Sequence, residues 1–375
     1  MNKKARKSDS IKNGSSRSKI RNVPSKKKKI VKKQIRQGSS KSMFVGMDLH
    51  KKFLQVAIMD DKGNVSCNDK VENTHKSIKK YFAKKKILLS ANIVMESSSV
   101  WYDTYRFLTD DLGYKNVALS NPYLTKAIAS SKKKTDKVDA KILADLLRGG
   151  YIATCYVPDK KIVEQRKLVR YRKKLIQWRT SAKNSIHGVL LQEGIRIPGV
   201  TFTETYCREL KALGDYRIDG FLRHIDYLTL QIAEANYKVC AAVKSNPDAM
   251  LIKTIPGIGD YSALVIASEI AGIERFNDSH KLCSYAGVVP SVRNSANTVH
   301  HGSITKRGSI TLRWVLTECI HAHVIHAQSS DITIFYNRVK EKRGSSKATV
   351  AGASKLLRVI YWMLKERREF VQNYS

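Results

Sequence analysis

The sequence predicts an α/β domain followed by mainly helical regions, and two patterns carry that prediction. From Met43 onward, two apolar, β-branched runs flank the tripeptide HKK at 50–52, and the turn DKGN at 61–64 follows. Such runs separated by turn residues are typical of three antiparallel strands. Residues 159–245 instead hold long amphipathic stretches, which predict helices.

Shorter apolar segments define the rest of the α/β domain, which we place at 43–158. We expect a helix over 74–87, a strand over Asn92–Glu96, a helix near 100–112, a strand near 116–120 and helices from Pro122 onward. The order β-β-β-α-β-α-β-α resembles the ribonuclease-H-like, or RuvC-like, fold.

The helical part divides into a spacer at 159–245 and a C-terminal domain at 246–375. In the spacer, heptad-like spacing of large apolar residues predicts an α-helical coiled coil or helical hairpin. These residues are Leu168, Leu175, Trp178 and Ile186. Its basic face either lies along nucleic acid or is simply solvated. In the C-terminal domain we expect a helix over 279–286, a polar loop over 290–305 and further helices to the end of the chain.

Charge is the strongest compositional signal. The 375-residue chain has 69 Lys+Arg and 32 Asp+Glu, a formal net charge of +37. Cationic side chains near phosphates release counterions, so this balance favours a nucleic-acid-binding protein over a merely cationic one. Residues 1–41 contain 16 Lys+Arg and one acid, and we interpret them as a disordered basic arm. The arm is either a nucleic-acid tether or a solubilising or localisation tail.

Several other classes of protein are not favoured. The six cysteines form no CxxC pair, and no cysteine or carboxylate completes a zinc set with the histidines at 300–301, 321, 323 and 326. Packing or phosphate contact is the better interpretation of those histidines. No apolar run of about 18 residues and no signal-peptide core are present, so we expect a cytoplasmic protein without a membrane partner.

Four acids are conspicuous in so basic a chain. Asp136 and Asp139 are three residues apart, which places both carboxylates on one side of a helix. Asp48 lies on the first predicted strand and Glu96 ends a central one, so a ribonuclease-H-like sheet would bring all four to one edge. Carboxylate ligands suit Mg²⁺, with Mn²⁺ as an alternative, and two ions about 4 Å apart support phosphoryl transfer. Singly, each acid could instead be a surface charge, and Asp136 a helix cap.

Two further motifs lie in the C-terminal domain. The turn PGIG at 256–259 is typical of a helix–hairpin–helix element, in which Gly257 and Gly259 let the backbone approach a phosphate. An ordinary turn between packed helices is the alternative. Residues 288–309 are polar and cationic, and a serine hydroxyl there could attack phosphorus if cations stabilise the developing charge. The residues concerned are Ser291, Ser295 and Ser303 with Arg293, Lys306 and Arg307.

Together these segments resemble one family over about residues 43–345. GMDLHK contains Asp48, IVMESSS contains Glu96, and KTDKVDAKILADLL contains Asp136 and Asp139. The PGIG turn, the AGVVP segment and the TKRG segment match the C-terminal signature. The chain resembles the DEDD-type insertion-sequence transposases, a family of bridge-RNA-guided serine recombinases that includes the Piv-type DNA invertases.

The resemblance implies a specific chemistry and assembly. A RuvC-like acidic tetrad binding Mg²⁺ would work with a C-terminal serine that forms a phosphoserine link to cleaved DNA. Its position between AGVVP and TKRG matches Ser295, although Ala296 replaces the glycine that commonly follows, so Ser291 and Ser303 remain alternatives. The implied partners are donor and target DNA, a guide RNA, and further copies of the chain, as a homodimer pairing into a tetramer with composite sites.

The leading hypothesis is therefore an RNA-guided DNA transposase or recombinase of a mobile element. A second hypothesis is a RuvC-like, structure-selective endonuclease in which water attacks, and a site-specific DNA invertase is a close variant of the first. A third is a binder that retains the fold without catalysis, although the presence of all four acids argues against it.

Overall fold

The computed structural model describes residues 42–128, 135–295, 298–304, 306 and 308–372, with the backbone alone for 126–128, 291–295 and 298–303. The basic arm predicted at 1–41 lies outside the described residues. The chain divides into two compact units, one ending at Tyr156 and one beginning at Val157.

The first unit is built on a six-stranded mixed sheet. Its strands are β1 (Phe44–Leu49), β2 (Phe53–Met59), β3 (Val65–Glu72), β4 (Asn92–Glu96), β5 (Val117–Ser120) and β6 (Thr154–Cys155). The spatial order is β3-β2-β1-β4-β5-β6, with β1 to β3 antiparallel, β1, β4 and β5 parallel, and β6 antiparallel to β5. The three antiparallel strands are confirmed. The pairing of β1 with β4 fits a DEDD-type, RuvC-like domain. Strand β6 was not predicted, because a strand of two residues leaves no recognisable pattern in the sequence.

The described residues of this unit also form four α-helices. They are α1 (His75–Lys84), α2 (Trp101–Arg106), α3 (Pro122–Ile128) and α4 (Asp136–Arg148), and a π-helical turn at Phe107–Asp111 extends α2. Of these helices, α4 has the most extensive contact with the sheet. The cap of α4 is Thr135, whose side chain accepts a hydrogen bond from the Val138 amide. Asp136 is therefore the first residue inside the helix rather than its cap, and its carboxylate is not engaged in capping.

Helix α4 lies directly on β1 at Gly46. A Cβ atom at this position would stand 2.1 Å from the Ala140 carbonyl oxygen and 2.6 Å from the Ala144 amide nitrogen. Ala140 and Ala144 are fully buried on the helix face that meets the sheet. Because the strand period is two, Gly46 and Asp48 face the same side, which is the side that α4 covers. The glycine thus allows a close helix–sheet approach one strand period from Asp48.

The second unit is mainly helical. Its helices are α5 (Lys160–Gln192), α6 (Glu204–Ala212), α7 (Tyr216–Lys244), α8 (Pro247–Lys253), α9 (Asp260–Ile270), α10 (Ser279–Ala286), α11 (Ile310–His326), α12 (Asp331–Arg343) and α13 (Ser345–Glu366), with a 3₁₀ turn at Ile273–Arg275. Helix α9 is buried on all sides from Ala263 onward, packed by α5, α7, α8 and α11. Apart from Ser268 and Glu269 its buried residues are apolar, as expected for a helix at the centre of a core.

Helices α5 and α7 lie antiparallel along their length. Lys161 donates to the Ser245 carbonyl at one end, and Arg217 bonds Glu193 at the other. Leu175 and Ile186 are buried as the heptad pattern predicts. The assignment of Trp178 to the buried seam was wrong, since its side chain is 45% exposed. The buried seam instead includes Ala182. Spacing alone did not show this, because a large apolar residue outside the seam can have the same spacing as one within it.

The predicted polar loop over 290–305 is a β-hairpin. Strands β7 (Pro290–Ser295) and β8 (Thr298–Ile304) are antiparallel, and their pairing ends at Ser295 opposite Thr298. The polar composition concealed β-branched residues such as Val292 and Val299, which favour extended backbone. Separately, no helix among the described residues has the length and apolar character needed to cross a bilayer.

We predict that Gly46→Ala destabilises the first unit by about 1–3 kcal/mol, the usual cost of overpacking a close contact. The new methyl group would overlap the backbone of α4, which cannot rotate away as a side chain can. Differential scanning calorimetry of the full-length protein would measure the shift.

The control is Gly220→Ala on α7, where an added Cβ meets no atom within 4 Å. Removing a helix-interior glycine should raise stability by about 0.5–1 kcal/mol. An unchanged melting temperature in Gly46→Ala would show that α4 does not rest on β1 at this point.

Candidate functional site

A cluster of three side chains forms where β1 ends and α4 begins. The His50 Nε2 atom lies 3.2 Å from Asp48 Oδ2 and 3.4 Å from Asp136 Oδ1. One ligand atom from each of the three residues falls within 4.8 Å of the other two. Asp48 is largely buried, whereas His50 and Asp136 are partly exposed, so the cluster opens on one side.

The electrostatics of this cluster favour a cation. Burial raises the pKa of the Asp48 carboxyl group, and the nearby carboxylates of Asp136 and Asp139 raise it further, while His50 lowers it. The effects that raise the pKa of Asp48 reflect the cost of holding negative charge at one buried place. A divalent cation would remove that cost, because it attracts the charges that otherwise repel one another. The amino-terminal end of α4 also favours the two acids of its first turn.

The predicted tetrad is only partly within this cluster. Asp139 lies one helical turn beyond Asp136, close enough for its charge to raise the pKa of Asp48. Glu96 is the last residue of β4, and the pairing of Met47 with Met95 places it beside Asp48 on the adjacent strand. Among the described residues, the compact group of potential ligands comprises Asp48, His50 and Asp136, so Asp139 and Glu96 lie outside it.

Sequence reasoning missed His50. It was interpreted as part of the turn between the first two strands. It lies two residues after Asp48, and that spacing returns a side chain to the same face of an extended segment. The histidine in DLHK was therefore a usable signal. A set of two carboxylates and one imidazole can hold a divalent cation, since carboxylates suit Mg²⁺ and Mn²⁺ and imidazole suits several transition metals.

Two side-chain amides in sequence link the sheet to the start of α4. Gln55 pairs with Asp48 across β1 and β2, and its Nε2 donates to Asn68 Oδ1 at 2.7 Å. The Asn68 Nδ2 atom in turn donates to the Lys137 carbonyl in the first turn of α4 at 2.8 Å. Side chains of two neighbouring strands, β2 and β3, thus hold the helix turn that carries Asp136.

The serine candidates belong to the second unit. Ser295 ends β7, Ser291 lies where the hairpin register shifts, and Ser303 is in β8. Their side chains and that of Arg293 fall outside the described atoms, and Arg307 falls outside the described residues. Lys306 is exposed, with a positive φ of 51°.

The two glycines of the PGIG turn differ in surroundings. Gly257 has φ +85°, and a Cβ there would lie 2.7 Å from the backbone of Ala322 and His323, so close packing on α11 alone accounts for it. Gly259 precedes α9 and has open space where a Cβ would be. Asp260, paired with Lys253 at 2.6 Å, already places a carboxylate at the start of α9. That charge competes with a phosphate for the helix terminus.

The predicted packing role is confirmed for His323. Its ring is fully buried, with Nδ1 2.8 Å from the Pro256 carbonyl oxygen and Nε2 2.7 Å from Ser330 Oγ. Burial lowers the pKa of His323, so the neutral form is favoured. Both ring nitrogens are engaged within the core, which leaves neither for a metal.

Comparison with known proteins gives matches along most of the chain. A DEDD transposase model matches residues 45–194, and a model described as Transposase IS116/IS110/IS902 family matches 249–337. The mixed sheet, the acidic cluster and these matches define the chain as a DEDD-type transposase. It belongs to the IS116/IS110/IS902 family of transposases, whose two models together cover well over half of its length.

Curated relatives agree with this assignment. The chain is 25% identical to the transposase for insertion sequence element IS1111A of Coxiella burnetii over 90% of this chain and 93% of the relative. It is 25% identical to the transposase for insertion sequence element IS1328 of Yersinia enterocolitica, covering 72% and 82% of the two chains. A probable family 20 transposase of Pseudomonas aeruginosa is 24% identical, covering 85% and 96%.

We predict that Asn68→Ala lowers the affinity of the protein for Mn²⁺ about ten-fold, a typical effect of removing a group that orients metal ligands. The first turn of α4 would lose its bond to the sheet and with it the fixed position of Asp136. Electron paramagnetic resonance of free Mn²⁺ during titration measures the affinity directly.

Asn116→Ala is the matched control. Its Nδ2 atom also donates to a backbone carbonyl, that of Ser90 at 3.3 Å, but away from α4. This variant should bind Mn²⁺ as the unmodified protein does. Equal affinities for all three proteins would remove Asn68 from any role in positioning the site.

Proposed function

We propose that this insertion-sequence transposase cuts and rejoins DNA strands with a divalent metal held by Asp48, Glu96, Asp136 and Asp139, with His50 as an additional ligand. The observation that carries the proposal is the approach of Asp48 and Asp136 oxygens from two different elements toward one histidine nitrogen. Acidic residues that only increase solubility are normally exposed and apart, because carboxylates that lie close together at a partly buried position repel one another.

The metal, Mg²⁺ or Mn²⁺, would neutralise the scissile phosphate and make a hydroxyl a better nucleophile. The chain supplies that hydroxyl from Ser295. Its Oγ forms a phosphoester bond to DNA as the bond from phosphorus to one deoxyribose oxygen breaks; the serine proton passes to solvent, and the departing oxygen gains a proton. A deoxyribose hydroxyl of the second strand then displaces Ser295. The number of phosphoester bonds is unchanged, so rejoining requires no external energy source.

Target choice in this proposal comes from base pairing with a guide RNA. The net charge of +37 supports it, since one chain must counter the phosphates of an RNA and of DNA together. The resemblance to bridge-RNA-guided recombinases supplies the idea of guidance. The protein itself then recognises backbone and shape, to which Gly259, Arg293, Lys306 and Arg307 would contribute.

The assembly we propose is a homodimer that pairs into a tetramer in the cytoplasm. The antiparallel pair α5 and α7 supports a coiled-coil spacer at 159–245, and the turn before α9 supports a helix–hairpin–helix element in a serine domain at 246–375. Separating the acids from the serine by such a spacer suits a composite site, in which one copy supplies the acids and another the serine.

We predict that Asp139→Ala lowers strand cleavage at least about 100-fold, the scale of losing one group that stabilises the transition state. Ser295→Ala should abolish the protein–DNA adduct that survives denaturation. Cleavage of labelled element-end DNA, followed on denaturing gels, measures both effects. DNA binding should be retained in both variants, because neither side chain is a cation that neutralises phosphate.

Asp145→Ala is the control for the acid, since Asp145 is on the same helix but pairs with Arg148 at 2.7 Å. It should cleave normally. Retained strand exchange by Asp139→Ala would refute the metal role. Free DNA ends without an adduct in the unmodified protein would favour a water-using nuclease, and an adduct lost only in Ser291→Ala or Ser303→Ala would reassign the nucleophile.

Guidance has its own test. We predict that RNA sequencing of the nucleic acid that co-purifies with the protein from its host will recover one enriched non-coding RNA from the flank of the element. A mixture that mirrors total cellular RNA would contradict guidance and leave the cleavage proposal intact.

A further inference from the structure

A groove runs between α12 and α13 in the second unit, and we call it the α12–α13 groove. Its volume is about 1090 Å³, and it begins at Pro290 and Ile304, the residues at the base of the β7–β8 hairpin. From Lys347 to Trp362 one stripe of α13 forms its wall. At 1.5 Å per residue, that stripe is about 22 Å long.

The charge of the groove has one sign. Five cations line it and no acid does; they are Arg338, Arg343, Lys347, Lys355 and Arg358. None of the ion pairs found among the described residues includes any of these five side chains. With 69 Lys+Arg to 32 Asp+Glu, cations without an acidic partner are common in this protein, so the distinguishing feature is that five of them line one groove. Five cations and no acid along one groove favour an anionic occupant.

The groove also presents aromatic and aliphatic surface. The ring of Phe335 is half-buried, with the Arg338 guanidinium 5.5 Å and the Lys355 ammonium 5.2 Å from its centroid. Trp362 is 49% exposed at the far end, and Val350 and Val359 lie between. An anionic occupant that used only the cations would leave this apolar surface in water.

We infer that the α12–α13 groove binds an unpaired strand of nucleic acid. A single strand offers what both halves of the groove require, phosphates for the cations and base faces for Phe335 and Trp362. A duplex hides its base faces by stacking and would use only the cations. A length of about 22 Å accommodates roughly six nucleotides at ~3.4 Å each.

The inference goes beyond the proposed chemistry, because the binding of a strand in this groove requires neither a metal nor a serine nucleophile. The inference also places a strand of nucleic acid next to the β7–β8 hairpin. A strand leaving the groove at Pro290 and Ile304 would enter the β7–β8 hairpin, whose first strand ends at Ser295. Strand exchange generates unpaired DNA, so a holding site beside the hairpin suits that reaction.

The test measures binding of a fluorescein-labelled oligothymidylate to the full-length protein by fluorescence anisotropy, with divalent metal chelated. Trp362→Ala should weaken binding about ten-fold, the usual cost of losing one stacked base. The matched control is Trp178→Ala on α5, where the tryptophan is 45% exposed and outside the groove. The control variant should bind as the unmodified protein does. Both tryptophans are exposed, so neither variant should unfold, and circular dichroism checks this.

A second variant tests the cations. The double variant Arg343→Ala with Lys347→Ala should reduce the slope of log K against log salt by about 1.4, because each single-strand phosphate contact contributes ~0.7. Arg208→Ala with Lys211→Ala on α6 removes the same two charges from an exposed site outside the groove and should change binding less.

The outcomes separate clearly. Ultraviolet cross-linking of a 4-thiothymidine strand to peptides containing Phe335 or Trp362 would support the inference. Unchanged affinity in Trp362→Ala would overturn it. An equal ten-fold loss for the matched duplex would show that base faces are not used. Displacement of the strand by polyglutamate, with polyglutamate binding itself dependent on Trp362, would instead assign the groove to an acidic protein partner.

Discussion

The approach of α4 to β1 at Gly46 is the contact on which the acidic site depends. The helix backbone lies where any side chain would project, so the distance between helix and sheet is set by the absence of a Cβ atom. That distance decides whether carboxylates on two separate elements can share one cation. The bond from Asn68 to the Lys137 carbonyl then fixes the position of the helix along the sheet. Packing and hydrogen bonding thus prepare a charge arrangement that is unfavourable without a cation.

The division of the chain into two units has a chemical consequence. The acids belong to the unit that ends at Tyr156, and the serine candidates belong to the unit that begins at Val157. A reaction that uses both groups therefore needs two units to act on one phosphate, from the same copy or from two copies. If the two groups come from different copies, as proposed above, cleavage would depend on assembly of the copies.

Elements in both units could be predicted where their signals are local. The strand Asn92–Glu96 and the helix Ser279–Ala286 were predicted with their observed bounds. A short apolar run indicates the strand, and a capped amphipathic segment indicates the helix. What escaped prediction depends on contacts between distant residues. His50 belongs to the acidic site only because α4 places Asp136 beside it. Trp178 has the spacing of a buried seam residue, but its side chain is exposed. The hairpin at 290–304 was hidden because its polar residues resemble those of a loop.

Net charge alone does not locate nucleic acid on this protein, because many cations are already engaged. On α5, Arg166 donates to the carbonyls of Ser268 and Glu269 at the end of α9, and Arg170 pairs with the buried Glu269 carboxylate at 2.8 Å. Arg172 bonds Asn236 and stacks on Tyr261. These side chains stabilise the helix packing, so their positive charge is partly neutralised where it lies. A basic helix face is therefore weak evidence for a binding surface, whereas a groove lined by five cations and no acid, beside exposed aromatic rings, is stronger evidence, because the two features together match the phosphates and the base faces of one strand.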